Sequence, residues 1–123
     1  MRFLQELDAL AAHLNAGGKP DLSNNRQDVT AHRWGAVIFD RPGKPATVAL
    51  YGDPANVRGE ATFFTMRTPF AYVSATQGLD KETMTYRTGE TFAFKYLVVL
   101  SAKLLSAEAI GKRGEAWRAA LRP

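Results

Sequence analysis

The stretch YGDPANVRG, Tyr51 to Gly59, gathers polar side chains that could hold a small molecule. Asn56 offers both donors and an acceptor, and Arg58 offers a planar fork of donors suited to a carboxylate or vicinal hydroxyls. Asp53 and Pro54 are turn formers and Asn56 can tie down the turn's backbone, so the stretch reads first as a shaped turn and second as a polar site. Arg58 adds nothing to a turn, and the functional weight of the loop falls on its guanidinium. His32, in AHRW, is either a strand residue facing solvent or a proton-transfer or ligand group. Trp34, Phe63, Phe64, Phe70 and Tyr72 sit at strand spacing, which favours core, but a ring with one wet face would stack against a sugar. The candidate ligand residues are therefore His32, Trp34, Asn56, Arg58 and Arg67.

No catalytic residue is assigned. Ser74, Ser101 and Ser106 lack a G-x-S-x-G setting, no glycine-rich segment has phosphate-loop spacing, and His13 and His32 belong to no HExxH pattern. His13 reads as helix surface. With no Cys, disulfides and thiolate metal sites are excluded, and no metal or cofactor is expected.

The elements that would position these residues follow from periodicity. Phe3, Leu4, Leu7, Leu10, Ala11 and Leu14 recur at three- and four-residue intervals, predicting an amphipathic helix over residues 2–16 that Gly17, Gly18 and Pro20 end. The polar segment NAGGKPDLSNNRQD reads as a linker, with a boundary near residue 28. From Val29 the pattern becomes that of strands: VTAHRWGAVIFD, a Pro42-Gly43 turn of type II, then ATVALYG. ATFFTM and FAYVSA follow, with Pro69 at a strand margin. ETMTYRTGETFAFKYLVVLS reads as a hairpin turning at Gly89, with Phe92, Phe94, Tyr96, Val98 and Leu100 on one face and Met84 and Tyr86 across from them. Ser106 caps a C-terminal helix holding Ile110, Trp117 and Leu121, which Gly111 and Gly114 weaken. The chain is thus divided into residues 1–28, helix and linker, and 29–123, an antiparallel β-sandwich with a C-terminal helix.

A chain of 123 residues suits one domain and at that size buries roughly two thirds of its unfolded surface. The 46% hydrophobic and 23% charged fractions are those of a globular protein. The longest apolar run, Tyr96 to Leu100, falls far short of the ~20 residues of a membrane span, and no secretory leader is apparent, so a cytoplasmic location is expected. The net charge of +4 is scattered without a run, which argues against nucleic acid as the partner.

Taken together, RWGAVIFDRPGKPATVALYGDPANVRGEATFFTMRTPFAYVSA followed by YRTGETFAFKYLVVL resembles the PmoA-like family, bacterial proteins labelled methane oxygenase. The resemblance spans about residues 30–110. It rests on a tryptophan-led strand, a D/H-P-x-N-x-R loop, an aromatic strand and a T/P-G-E turn leading into an apolar strand. It implies part of a galactose mutarotase-like sandwich with a carbohydrate ligand, and it keeps Pro54, Asn56 and Arg58 in place. Asp53 stands where histidine is common, and Gly59-Glu60 replaces a frequent His-Pro, which removes imidazole chemistry from that loop. The family's preceding β-rich half has no counterpart here. An isolated half leaves apolar sheet face exposed, so either a homo-oligomer or a missing N-terminal half is expected. The functional expectation is a carbohydrate- or polyol-binding domain of a larger enzyme, the alternative being a structural or protein-interaction domain.

Overall fold

The computed structural model describes residues 1–22 and 27–122. Among these, seven strands form: β1 (Ala11–Asn15), β2 (Gln27–Ala31), β3 (Trp34–Phe39), β4 (Ala46–Gly52), β5 (Thr62–Met66), β6 (Tyr72–Ala75) and β7 (Tyr96–Ser101). They make two antiparallel sheets, ordered β1-β3-β4-β7 and β2-β5-β6. A 3-10 helix, Gln5–Leu10, precedes them and an α-helix, α1 (Ala107–Ala120), follows. The fold is the expected antiparallel β-sandwich flanked by an N-terminal and a C-terminal helix.

Strand alternation sorts the core into two layers. Val37 and Phe39 of β3 and Val48 and Leu50 of β4 face Phe63 and Val73 of the smaller sheet, closing the inter-sheet core. The other face of the same strands, Trp34, Ala36, Ala49 and Tyr51, packs under Ile110 of α1. Because β3 and β4 are covered on both faces, they read in sequence as nearly continuous apolar runs. The Pro42-Gly43 turn joins them as expected, with Gly43 at φ 72° and the Lys44 amide donating to the Arg41 carbonyl at 2.9 Å. β5 and β6 form the second expected pair.

The N-terminal segment departs from expectation. Only Gln5–Leu10 is helical; residues 11–15 instead form β1, pairing along β3 from Ala11↔Phe39 to Asn15↔Gly35. Apolar residues at 7, 10, 11 and 14 keep helical spacing, whereas the buried positions of β1 are Ala11, His13 and Asn15; the ladder offered by the edge of β3 decides for strand. His13, expected on a helix surface, is thereby turned into the inter-sheet layer and is 5% exposed. Residues 1–3 reach the other sheet: the Val73 amide donates to the Met1 carbonyl, Arg2 bridges Tyr72, and Phe3 packs edge-on against Phe39.

Two further boundaries differ. The expected single strand from Val29 to Asp40 breaks at His32-Arg33, where the chain leaves β2 in one sheet and enters β3 in the other. The segment around the expected boundary at residue 28 is strand β2, while residues 23–26 of the expected linker lie outside the described residues. The expected 82–101 hairpin has its turn at Gly89 (φ 91°), but only Tyr96–Ser101 is strand, and its ladder runs to β4, from Thr47↔Ser101 to Gly52↔Tyr96. Residues 84–95 form an exposed aromatic arm, with Tyr86 stacked on Phe92 at 4.1 Å between ring centroids.

Helix α1 begins at Ser106, whose hydroxyl accepts from the Ala109 amide at 3.2 Å. Its seat is Tyr51, fully buried, which donates its hydroxyl to the Ile110 carbonyl at 2.9 Å. Gly114 permits that approach, since a methyl there would lie 2.7 Å from Tyr51 Cδ1, whereas one at Gly111 would meet Trp34 Nε1 at an ordinary 3.7 Å. The two helix glycines therefore predict opposite signs. Gly111→Ala should raise stability by about 0.5–1 kcal/mol through helix propensity. Gly114→Ala should lower it by about 1–3 kcal/mol through overpacking. Urea unfolding midpoints measure both, and a gain at both positions would mean that Tyr51 does not seat the helix.

Candidate functional site

The loop from Asp53 to Gly59 binds the protein's own backbone. Asp53 is buried; its Oδ1 accepts from the Ala55 amide at 2.9 Å and lies 3.4 Å from Arg122 Nη2. Asn56 acts as an extra peptide group, its Nδ2 donating to the Lys95 carbonyl at 2.9 Å and its Oδ1 accepting from the Lys95 amide at 2.7 Å. That two-point bracket, joined by the Asp53 amide donating to the Lys95 carbonyl at 3.0 Å, carries the β4–β7 pairing past the end of β7. Arg58, at φ 69°, donates Nη1 to the Glu82 carbonyl at 2.8 Å and Nη2 to the Thr83 carbonyl at 2.6 Å. Its weaker contact to the Gln77 carbonyl, at 3.4 Å, completes a clamp on residues 77–83.

Arg67 stands apart from this loop, beside His13 and Lys19 in a shallow cleft of about 430 Å³. His13 donates Nε2 to the Tyr72 carbonyl at 3.2 Å, which leaves Nδ1 an unprotonated acceptor without a partner among the described residues. Burial lowers its pKa, the Tyr72 bond opposes that shift, and the Arg67 charge adds to it.

His32 and Trp34 do come together. They line a cleft of about 450 Å³ between the β2–β3 crossing, the turn at Ala16-Gly17 and α1. Trp34 is 5% exposed, so no ring face is offered for stacking. Around it stand Arg33, Glu60, Glu115 and Arg118, which the sequence reading did not single out. Arg118 donates to the Arg33 carbonyl. The side chains of His32, Arg33, Glu60 and Glu115 have no hydrogen-bond or ion-pair partner among the described residues. Gly111, Glu115 and Arg118 are spaced at four and three residues, a legible helix face. Nothing in that spacing tells where on the sheet the face lands.

The cleft carries two arginines and two glutamates, so these four charges balance formally. A ring of unpaired acceptors and donors suits a neutral ligand rich in hydroxyl groups, each able both to give and to take a hydrogen bond. Comparison with protein-family models, with curated proteins and with solved structures finds no match to this chain.

Arg58→Ala should lower stability by about 1–2 kcal/mol, because charged-donor bonds to carbonyls are lost while water reaches the freed oxygens. Amide exchange should quicken in residues 77–83, and unchanged exchange there would mean that the clamp is idle.

His13 sets a pH dependence. Its folded pKa lies below the unfolded value near 6.5, so the folded state resists protonation. Stability from this group is complete above pH ~6.5 and is lost as pH falls from there through the folded pKa. Melting temperatures of the parent and of His13→Gln should diverge at pH 7.5 and converge toward pH 5. Parallel curves would remove His13 as the cause.

Proposed function

We propose that this is a ligand-binding β-sandwich module whose cleft at His32, Arg33, Glu60 and Glu115 takes a small neutral carbohydrate or polyol. The supporting observation is the convergence there of two carboxylates, a guanidinium and an imidazole, all without partners among the described residues, around about 450 Å³. That volume suits a sugar-sized molecule. The sequence resemblance to the PmoA-like family points to the same ligand class and to a role within a larger enzyme. The site differs from the one expected of the loop, because Asn56 and Arg58 hold backbone and Trp34 contributes at most its edge.

A structural or protein-interaction role is the second reading, favoured by a separate observation. Tyr96, Val98 and Leu100 on β7 remain 41%, 46% and 73% exposed.

Thermal-shift screening against neutral sugars, polyols, amino sugars and sugar acids, followed by calorimetry, tests the first reading. A ligand at ~100 times its Kd adds about 2.7 kcal/mol, several degrees in Tm. Glu60→Gln and Glu115→Gln should each weaken a neutral hydroxyl ligand by roughly tenfold or more, through loss of charge-assisted bonds, with the unliganded Tm unchanged. Absence of any shift across the panel, or binding that both variants leave intact, would remove the cleft from consideration.

A further inference from the structure

We infer that β7 is the two-fold interface of a homodimer, pairing antiparallel with the same strand of a second copy about Val98. The inference rests on the second reading above and gives that surface its partner.

The four-stranded sheet faces a sheet of three, and β7, at its edge, is the strand left over. Its odd-numbered residues Leu97 and Val99 lie half-buried in the layer beneath α1. Its even-numbered residues continue the inter-sheet face of β4, opposite Gly52, Leu50 and Val48, yet stay open to solvent. The strand thus has apolar side chains on both faces and, among the described residues, a backbone edge with no neighbouring strand. Exposed edges are ordinarily guarded by charge, proline or a bulge, and Tyr96–Ser101 contains neither charge nor proline and pairs with β4 without interruption. The end of β6 is handled differently, being capped by Met1 and Arg2. β2 carries Asp28, and β1 carries His13 and Asn15.

Register selects a second copy. About an axis normal to the sheet, opposed residues share a face, so even positions meet even ones. With Val98 on the axis, Tyr96 meets Leu100, Leu97 meets Val99, and Lys95 meets Ser101. An axis at Val99 would set Lys95 against Lys103, and one at Leu97 would set Lys95 on Val99. Only the Val98 register places apolar on apolar and keeps like charges apart. The strand is therefore complementary to itself, as an isologous interface requires.

Apolar side chains cluster beside the strand. Leu79, Tyr86, Phe92, Tyr96, Val98 and Leu100 are each between 36% and 73% exposed, and Leu79, Tyr86, Phe92 and Tyr96 line one cleft next to β7. Strand pairing sets Tyr96 of one copy beside Leu100 of the other on the same face, so the contact consists of the new ladder and its cross-strand side-chain pairs.

Light scattering coupled to gel filtration at ~50 µM, above common micromolar dissociation constants, should give a dimer. Val98→Lys, at a half-exposed site, places two charges on the axis and should raise Kd by roughly a hundredfold or more. Leu100→Lys should also weaken the dimer, and adding Tyr96→Glu should restore it, because each copy then presents both members of a cross-strand pair. Circular dichroism checks that each variant is folded. The chain has no cysteine, so Val98→Cys should cross-link to its own copy under mild oxidation, while the surface control Val57→Cys should not. A monomeric parent protein, or larger open-ended aggregates in place of a dimer, overturns the inference. A dimer that Val98→Lys leaves intact and Val98→Cys does not cross-link overturns it too, while leaving an assembly role through another face standing.

Discussion

The position of α1 depends on one buried hydrogen bond, from the Tyr51 hydroxyl to the Ile110 carbonyl. Burial raises the pKa of that phenol, with Arg113 and Arg118 opposing the shift, so the hydroxyl keeps its proton and remains a donor. The helix is not strongly two-sided: Ile110 and Gly114 are its buried residues, and Trp117 is half-covered. A helix with so narrow an apolar stripe gains little from sliding onto any flat sheet, and a ring fitted against a glycine fixes where it stops. Thr47 fixes the approach from the other end, its hydroxyl donating to the Lys103 carbonyl at 2.8 Å and accepting from the Leu105 amide at 3.0 Å. Glu115 and Arg118 face the cleft because the helix is held at these two points and by Arg118 itself, which donates to the Arg33 carbonyl. The wall of the proposed binding site is thus a by-product of covering the outer face of β3 and β4.

How much of this the sequence discloses depends on the range of the interaction. The β3–β4 turn, the β5–β6 pair and the Ser106 cap are written in residues within a few positions of one another, and they form where local chemistry puts them. Residues 11–15 fail the same reading because Leu7, Leu10, Ala11 and Leu14 keep helical spacing while the buried strand positions, Ala11, His13 and Asn15, show no apolar alternation, and only the distant edge of β3 decides for strand. The partners of Asn56 and Arg58 are hidden from the sequence for a related cause. Their side chains are ligand-like in type, but their partners are backbone groups at Lys95, Glu82 and Thr83, whose proximity no spacing rule reports. Gly114 reads locally as a defect in a helix, and it becomes a requirement only once Tyr51 lies beside it. The cleft was half legible: His32 and Trp34 belong to it, while Glu60 and Glu115 enter from separate elements.

The two exposed surfaces differ in chemistry and share no residue. The cleft draws on residues 16–17, 31–34, 60 and 111–118 and is charged, while the open face of β7 and its arm draws on residues 79–104 and is apolar. Arg58 steadies residues 77–83, the segment from which the arm departs, so the polar loop has its influence on the apolar surface.

The clasp made by the first fifteen residues has a bearing on how the chain assembles. They precede their partners in the chain: β1 needs β3 at 34–39, and Met1 and Arg2 need β6 at 72–75. The central strand β4 waits longer still for β7 at 96–101. Three of the five ladders join segments tens of residues apart, and loop closure must precede the contacts that reward it, which places folding toward the slow, millisecond-to-second end for small domains. During that interval YLVVL is the last strand to find its place, and it is also the segment most prone to pair with the wrong chain.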